Sequence, residues 1–220
     1  MVRRQAWVAV GLGVLMMSGL LRAWADEQTP PVSSPQEPLK RVATLIMQGS
    51  YQQAVDLCTQ LLGPQNAVAY GDRGDAHHNK GEHDLAIADY TQAITLEPKN
   101  AVAYLQRANT QFAKARYDQA IADYNQVITL EPQNAVAYCG RCKVYGMKRK
   151  QKQARADCDQ SLALDPKYAD AYLWSGYLYL DDKNYRQGRE HLEKAARLDP
   201  MGTVGAAART ALKSLDTRGL

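Results

Sequence analysis

The sequence has no strong excess of charge of either sign. It contains 27 Lys and Arg against 23 Asp and Glu. Three of the cations, Arg3, Arg4 and Arg22, lie in a leader-like first segment, so the rest of the chain holds one more basic than acidic residue. A nearly neutral chain has no general attraction for a polyanion. Net charge therefore indicates no partner, and any electrostatic argument must come from local clusters.

Long apolar runs are also scarce, and the one present is Ala6–Leu21, between the arginine pair and Ala23-Trp24-Ala25. This order of basic, apolar and small residues is typical of a signal peptide over 1–25, and we expect cleavage after Ala25. The alternative is an uncleaved membrane anchor, since the run is only slightly shorter than a spanning helix. The pattern predicts export to the periplasm or the extracellular space, with no integral membrane span after cleavage. Residues 26–38, rich in Pro, Ser and Gln, predict a flexible tether.

The rest of the chain is dominated by four copies of a 34-residue unit. These copies span residues 67–100, 101–134, 135–168 and 169–202. Within each copy, small and apolar residues recur at three- and four-residue spacing in two runs, which predicts a pair of helices. Such a period predicts a solenoid, in which each unit buries its apolar face only against its neighbours. We expect a degenerate helix pair over 39–66 and a capping helix with a tail over 203–220.

Residues that begin or end helices recur with the same 34-residue period. Asn66, Asn100 and Asn134 precede three of the units and are suited to cap the first helix of each. A proline near the end of each unit stops the second helix. The turn between the helices of the third unit departs from its siblings, because Lys148–Gln151 replaces the expected glycine and aromatic.

These units resemble tetratricopeptide repeats. In the first full unit the resemblance rests on Tyr70, Arg73, Gly74, Ala86 and Pro98, with counterparts in the later copies. It covers about residues 39–202 and implies an all-α, right-handed superhelix of antiparallel helix pairs. It also implies that the first helices line a concave groove for peptide. An enzyme is not implied, and neither is a cofactor.

The groove positions of the family can be carried over residue by residue. The first unit supplies Val68, Gly71, Asp75 and His78. In the later units most positions are apolar, and we predict a peptide-binding groove formed by Val102, Leu105, Asn109, Phe112, Val136, Lys143, Met147, Leu173, Tyr177 and Leu180. We expect Leu105, Phe112, Leu173 and Tyr177 to supply much of the binding energy. The alternative is a superhelix so tight that some of these side chains touch each other.

Some tetratricopeptide proteins hold acidic chaperone tails with a clamp of Lys, Arg and Asn side chains. The matching positions here are Gly71, Asp75, Gln106, Val136 and Gly140. None of them is a cation that could hold a carboxylate, so this activity is not implied.

The four cysteines raise the question of redox chemistry. Cys139-x-x-Cys142 has the spacing of a redox motif, but it lies inside a predicted helix rather than at a helix N-terminus. We predict at most one disulfide, Cys142–Cys158, between the two helices of the third unit. Cys58, several helices away, is expected to be buried and free, which also excludes a four-cysteine zinc site. Cys139 is expected to face the groove.

Two further clusters of residues each have a structural and a functional interpretation. Asp75, His78 and Glu82 share a helix face that metal ligands could use, but a full ligand set is missing and we predict no metal site. The segment Arg141–Arg155 holds seven cations and no acid. It predicts a solvated turn, or else a patch for acidic lipid, polyanion or protein. Nucleic acid is disfavoured by the export signal and by the lack of interleaved stacking aromatics.

The combined interpretation is a non-catalytic scaffold that binds a protein or peptide segment in the periplasm or cell envelope. Two alternatives come from other classes. The first is a thiol–disulfide oxidoreductase that uses Cys139 and Cys142. The second is a self-assembling envelope factor held together by its own association.

Overall fold

The computed structural model describes residues 36–62 and 66–219. This part of the chain is all-helical, with eleven α-helices and no strand, as the repeat pattern predicts. The helices are α1 Gln36–Met47, α2 Tyr51–Leu61, α3 Ala67–Lys80, α4 His83–Leu96, α5 Ala101–Ala113, α6 Tyr117–Leu130, α7 Ala135–Met147, α8 Gln151–Leu164, α9 Ala169–Asp181, α10 Tyr185–Leu198 and α11 Thr203–Thr217. The predicted signal peptide, its cleavage site and most of the predicted tether lie outside the described residues.

The helices stack as antiparallel pairs in chain order. Each of the four repeats forms one pair (α3–α4, α5–α6, α7–α8 and α9–α10), and α11 packs against α10 and α9 at the C-terminal end. The degenerate pair α1–α2 occupies the other end, but α1 begins at Gln36 rather than at residue 39. The last three residues assigned to the tether are therefore helical. Pro38 is compatible with this because it lies in the first turn, where its missing N–H has no helical acceptor.

Three first helices begin after the repeated asparagines, and the second helices of the four repeats end near the repeated prolines. The side chains of Asn66, Asn100 and Asn134 each accept a hydrogen bond from the backbone N–H three residues later, at 3.0 Å. This confirms the predicted N-caps. The second helices end two residues before the repeated proline, at Leu96, Leu130, Leu164 and Leu198.

The turn inside each pair keeps one geometry in all units. Its key residue has a positive φ and is Gly49, Gly81, Ala115, Arg149 or Lys183. In the third unit the N–H groups of Arg149 and Lys150 donate to the carbonyls of Gly146 and Tyr145 at 2.9 Å. Gly81 and Glu82 form the same two bonds in the first full unit. The turn is therefore as tight at Lys148–Gln151 as elsewhere, although Arg149 must adopt a left-handed conformation that disfavours a side chain.

Glycines let the two helices of a pair approach closely. Gly74 in α3 lies under the ring of Tyr90 in α4, and a Cβ atom at Gly74 would be only 2.6 Å from the Tyr90 Cε1 atom. In the last unit Gly176 faces Gly188, and a Cβ on either would be 3.3 Å from the backbone oxygen of the other. Large side chains at these positions would force the helices apart.

A bidentate ion pair recurs in the first three full units. Arg107 in α5 donates from Nε and Nη2 to both carboxylate oxygens of Asp123 in α6, each at 2.8 Å. Its Nη1 donates to Thr91 in the preceding pair at 3.0 Å. One guanidinium thus connects three helices. The equivalent pairs are Arg73–Asp89 and Arg141–Asp157, with Thr59 and Asn125 as the third partners.

The fourth unit lacks this ion pair. Ser175 and His191 occupy the positions of the arginine and the aspartate, sixteen residues apart as in the other units. The His191 ring packs against Tyr172 and Tyr179, with centroids 5.4 and 5.1 Å apart. Burial lowers the pKa of His191, which favours its neutral form. In this unit, aromatic packing therefore takes the place of the ion pair.

Within residues 36–62 and 66–219, no helix is both long enough and apolar enough to cross a membrane.

Replacing Ala115 by glycine should stabilise the protein. Ala115 has φ 54° and is exposed, so glycine removes the left-handed penalty without creating a cavity. We expect the free energy of unfolding in urea to rise by about 0.5–1 kcal/mol, since the greater freedom of unfolded glycine offsets part of the gain. The matched control is Ala122→Gly, on the exposed face of α6, which should lower it by about 1 kcal/mol. A loss of stability in Ala115→Gly would contradict the strain argument.

Candidate peptide-binding groove

A cleft of about 190 Å³ opens on the side of the solenoid lined by the first helices. It lies between α3 and α5, and we call it the α3–α5 cleft. Its apolar walls include Val68 and Val102, whose side chains are 49 % and 65 % exposed. The residues lining it are Ala67, Val68, Gly71, Asp72, Asp75, Tyr90, Asn100, Val102, Ala103 and Gln106.

A chain of hydrogen bonds runs along the base of this surface. The buried Tyr90 hydroxyl donates to Asp75 at 2.7 Å, and the Gln106 amide donates to the same carboxylate oxygen at 3.2 Å. Asn109 donates to Gln106 at 3.3 Å and accepts from the Tyr124 hydroxyl at 2.6 Å. These bonds fix Asp75 and Asn109 in place. Burial and the adjacent Asp75 carboxylate raise the pKa of Tyr90, which keeps its hydroxyl as a donor.

Two carboxylates contribute negative charge to the α3–α5 cleft. Asp72 and Asp75 are three residues apart on α3 and so lie on neighbouring parts of one helix face. Desolvation by burial, followed by repulsion from Asp75, raises the pKa of Asp72 to about 6. Burial likewise raises the pKa of Asp75, although its hydrogen bonds oppose the shift. Asp72 has no hydrogen bond or ion pair among the described residues, and no Lys or Arg lines the cleft.

The ten predicted groove residues separate into exposed and packed sets. Val102, Val136 and Met147 are exposed, the last two at 42 % and 51 %. Leu105 and Phe112 are half-buried and pack against the core between α5, α6 and α7. Phe112 also contacts Tyr117 across the turn, with ring centroids 6.0 Å apart.

In the fourth unit the groove assignment is wrong for Leu173, whereas Leu180 is half-buried. Leu173 is only 6 % exposed and belongs to the core formed with α10 and α11. Leu180 packs onto Gly188 of α10, where the missing Cβ leaves room for its Cδ2 atom. Tyr177 is half-buried against the same core and contacts Trp174, with centroids 5.8 Å apart. All three side chains pack against the core that α10 and the capping helix α11 complete.

The predicted orientation of Cys139 is also wrong. Cys139 is fully buried rather than facing the groove, and burial raises its pKa to about 12. Above it, the ammonium of Lys143 in α7 forms an ion pair with Asp170 at the start of α9. The Lys143 ammonium also lies 5.9 Å from the centre of the Trp174 ring. These contacts join the third unit to the start of the fourth.

The structure places a disulfide between Cys142 in α7 and Cys158 in α8, the pair considered from the sequence, with Cα atoms 5.5 Å apart. The thiol of Cys139 does not take part, although it belongs to the Cys-x-x-Cys motif. Cys58 is buried and free, and burial raises its pKa to about 12. A catalytic thiol needs an accessible side chain with a lowered pKa, and neither free cysteine meets this requirement.

Two adjacent histidines near the end of α3, His77 and His78, contact side chains of the fold. The Nδ1 atom of His77 lies 2.6 Å from Glu82, and that of His78 lies 2.8 Å from the Thr110 hydroxyl. Since Asp75 faces Tyr90, the three potential ligands Asp75, His78 and Glu82 are held by different neighbours. In the part of the chain that the structure describes, no three His, Cys, Asp or Glu side chains are grouped to hold a metal ion.

The basic segment Arg141–Arg155 is largely ion-paired with neighbouring elements. The partners are Asp157 for Arg141, Asp170 for Lys143, Asp118 for Lys148 and Asp182 for Arg155. The remaining cations, Arg149, Lys150 and Lys152, are exposed at the turn. Much of the positive charge is thus neutralised within the fold, in keeping with a solvated turn.

Sequence reasoning missed Asp72. Comparison of the four repeats contains a signal for it, because the equivalent positions hold Gln106, Gly140 and Trp174. A carboxylate therefore occurs there in one unit alone. The partial burial of Asp72 and the absence of a cation among the described residues that line the cleft depend on how α5 packs beside α3.

Comparison with known proteins agrees with this architecture. Family models described as TPR repeat and tetratricopeptide repeat match residues 74–115, 101–134 and 169–200. The chain therefore contains tetratricopeptide repeats. No curated protein sequence matches it.

Several solved structures share the fold. A thermophilic TPR protein of Thermus thermophilus is 20 % identical, with a TM-score of 0.68 over 81 % of this chain and 99 % of that one. MamA from Desulfovibrio magneticus RS-1 is 16 % identical, with a TM-score of 0.66 over 77 % and 97 %. YrrB, described as a TPR protein with an unusual peptide-binding site, is 16 % identical, with a TM-score of 0.60 over 79 % and 90 %. At these identities the likeness shows the fold alone.

Replacing Asp72 by asparagine should stabilise the protein in a pH-dependent way. Because the folded-state pKa, about 6, lies above the ordinary value of 3.8, ionisation of Asp72 destabilises the fold above pH 6. We expect Asp72→Asn to unfold in urea with a free energy about 1 kcal/mol higher at about pH 7.5, a gain limited by solvent screening of this half-buried group. The gain should largely vanish at about pH 4, where the folded protein already holds the proton.

The matched control for this measurement is Asp159→Asn, which changes an exposed carboxylate on α8. It should leave the stability nearly unchanged at both pH values. An equal gain from Asp72→Asn at both pH values would contradict the assigned protonation.

Reducing the disulfide should weaken the fold. Cys142 and Cys158 are 16 residues apart, and opening a loop of this size costs roughly 3 kcal/mol in the chain-entropy model. We expect dithiothreitol to lower the free energy of unfolding of the oxidised protein by up to roughly this amount. The Cys142→Ala/Cys158→Ala variant should not respond to it. Mass spectrometry of unreduced peptides checks the pairing, and four free thiols in protein purified from an oxidising compartment would contradict it.

Proposed function

We propose that this chain is a non-catalytic scaffold that is exported to the periplasm or the extracellular space and binds a protein or peptide segment. The observation that carries the proposal is the α3–α5 cleft, where apolar side chains remain exposed beside fixed hydrogen-bonding groups. Interfaces draw their energy from desolvated apolar contacts and their orientation from a few polar groups. The peptide-binding site named for YrrB supports the same use of the fold. Export is supported by the leader pattern of residues 1–25.

The burial of the cysteines opposes the alternative of a thiol oxidoreductase. A dithiol catalyst would use Cys139 and Cys142 as a reversible pair, whereas Cys142 is bonded to Cys158 and Cys139 is inaccessible. Self-assembly, the third interpretation, makes a different prediction. A concentration-dependent rise in mass by light scattering would favour it over capture of a foreign segment.

The test of binding uses two exposed apolar residues that differ in position. Val102 lines the α3–α5 cleft, and Leu85, similarly exposed, lies on the second helix of the first full unit. A partner is first obtained by affinity capture from the native envelope fraction, and its binding is then measured with purified components. Val102→Ser should weaken binding by about tenfold, because it removes an apolar contact without adding a charge.

The control, Leu85→Ser, also replaces an exposed apolar side chain with serine and should bind as the unmodified protein does. Both variants must remain helical with a cooperative urea transition. Equal affinity of Val102→Ser and the unmodified chain would remove the α3–α5 cleft from the binding surface.

A further inference from the structure

The α3–α5 cleft combines apolar walls with negative charge at its base. Val68 and Val102 form exposed walls on the two helices, while Asp72 and Asp75 supply the carboxylates. Among the described residues, those that line the cleft include no Lys, Arg or His, so its negative charge has no counterpart there. An extended segment entering here therefore meets both hydrophobic surface and uncompensated negative potential.

The two carboxylates differ in how they are held. Asp75 accepts two hydrogen bonds through one oxygen, from Tyr90 at 2.7 Å and Gln106 at 3.2 Å, and so is fixed in orientation. Asp72 is half-buried and has no partner among the described residues. A half-buried carboxylate without a partner is costly, and an incoming donor of positive charge would remove that cost.

The cation next to Asp72 in the chain is paired with other residues. Arg73, next to Asp72 in the chain, is directed to Asp89 in α4 through two hydrogen bonds of 2.9 and 2.6 Å. Its third bond is to Thr59 in α2, at 3.3 Å. Consecutive residues point about 100° apart around a helix. Arg73 therefore contacts α4 inside the helix pair, whereas Asp72 lines the cleft.

We infer that the α3–α5 cleft binds a protein segment in extended conformation through one lysine or arginine side chain. The aliphatic part of that side chain packs between Val68 and Val102, and its cationic end reaches Asp72 and Asp75. Long basic side chains suit such a site, since they bury an apolar stem and present a charge at the tip. This recognition has the opposite charge to a clamp for acidic tails. The inference rests on the proposed function and specifies the chemistry of the partner.

The test uses three synthetic peptides with blocked ends and one alanine–leucine framework. They differ at one central residue, which is lysine, norleucine or glutamate, and norleucine keeps the four-carbon stem of lysine without its ammonium group. Each is titrated to millimolar concentration into isotopically labelled protein at about pH 7.5 and low salt, with affinity and location read from amide chemical shifts. We expect the lysine peptide to bind about tenfold or more tightly than the norleucine peptide, with shifts at α3 and α5.

The decisive variant is Asp72→Asn, which is expected to be more stable than the parent and so remains testable. It should reduce the preference for lysine over norleucine to about twofold or less, while Asp159→Asn should leave the preference intact. Raising the salt to about 0.5 M should weaken the preference in the unmodified protein, because the contact is electrostatic.

The outcomes separate the two proposals. Equal binding of the lysine and norleucine peptides at the cleft would overturn the cationic inference and leave peptide binding standing. Tighter binding of the glutamate peptide would also overturn it. The absence of shifts with all three peptides would count against both the inference and the proposed function of the cleft.

Discussion

The bidentate bond between an arginine and an aspartate organises most of this solenoid. In each of three units the arginine of the first helix binds the aspartate of the second and a side chain of the preceding pair. The carboxylates are nearly buried, as at Asp123, so an aspartate left without its arginine would be an uncompensated charge. The planar guanidinium also limits how the three helices can be arranged. The interaction therefore specifies both the pairing inside a unit and the stacking between units.

The candidate site lies on α3, where the first full repeat differs from the others at Asp72, next to the arginine of the repeated ion pair. Arg73 takes part in the repeated ion pair, while its neighbour Asp72 faces the α3–α5 cleft. The repeated residues maintain the framework, and residues confined to a single unit supply the chemistry. Because Asp72 is held at a raised pKa, the site is maintained at a cost in stability that the surrounding framework must offset.

The sequence predicted the features that depend on local spacing. The 34-residue period, the Asn66, Asn100 and Asn134 caps and the small residues at helix crossings all act within one unit or its junction. The site was less predictable, since exposure depends on how successive units stack. Leu173 occupies a groove position by register, yet the capping helix buries it. Cys139 is covered by the start of α9, and the openness of the cleft at Val102 follows from the same stacking.

The disulfide lies at the point where the repeated interaction ends. The Arg141–Asp157 pair is the last of its kind, and the fourth unit has Ser175 and His191 instead. The second, third and fourth units each hold a non-glycine residue at a positive φ, which disfavours their turns; these residues are Ala115, Arg149 and Lys183. In a solenoid, stability is close to a sum of the units and the interfaces between neighbours, so a weak unit can separate the two ends. A covalent bond between α7 and α8 opposes that separation in the unit next to the one that lacks the ion pair.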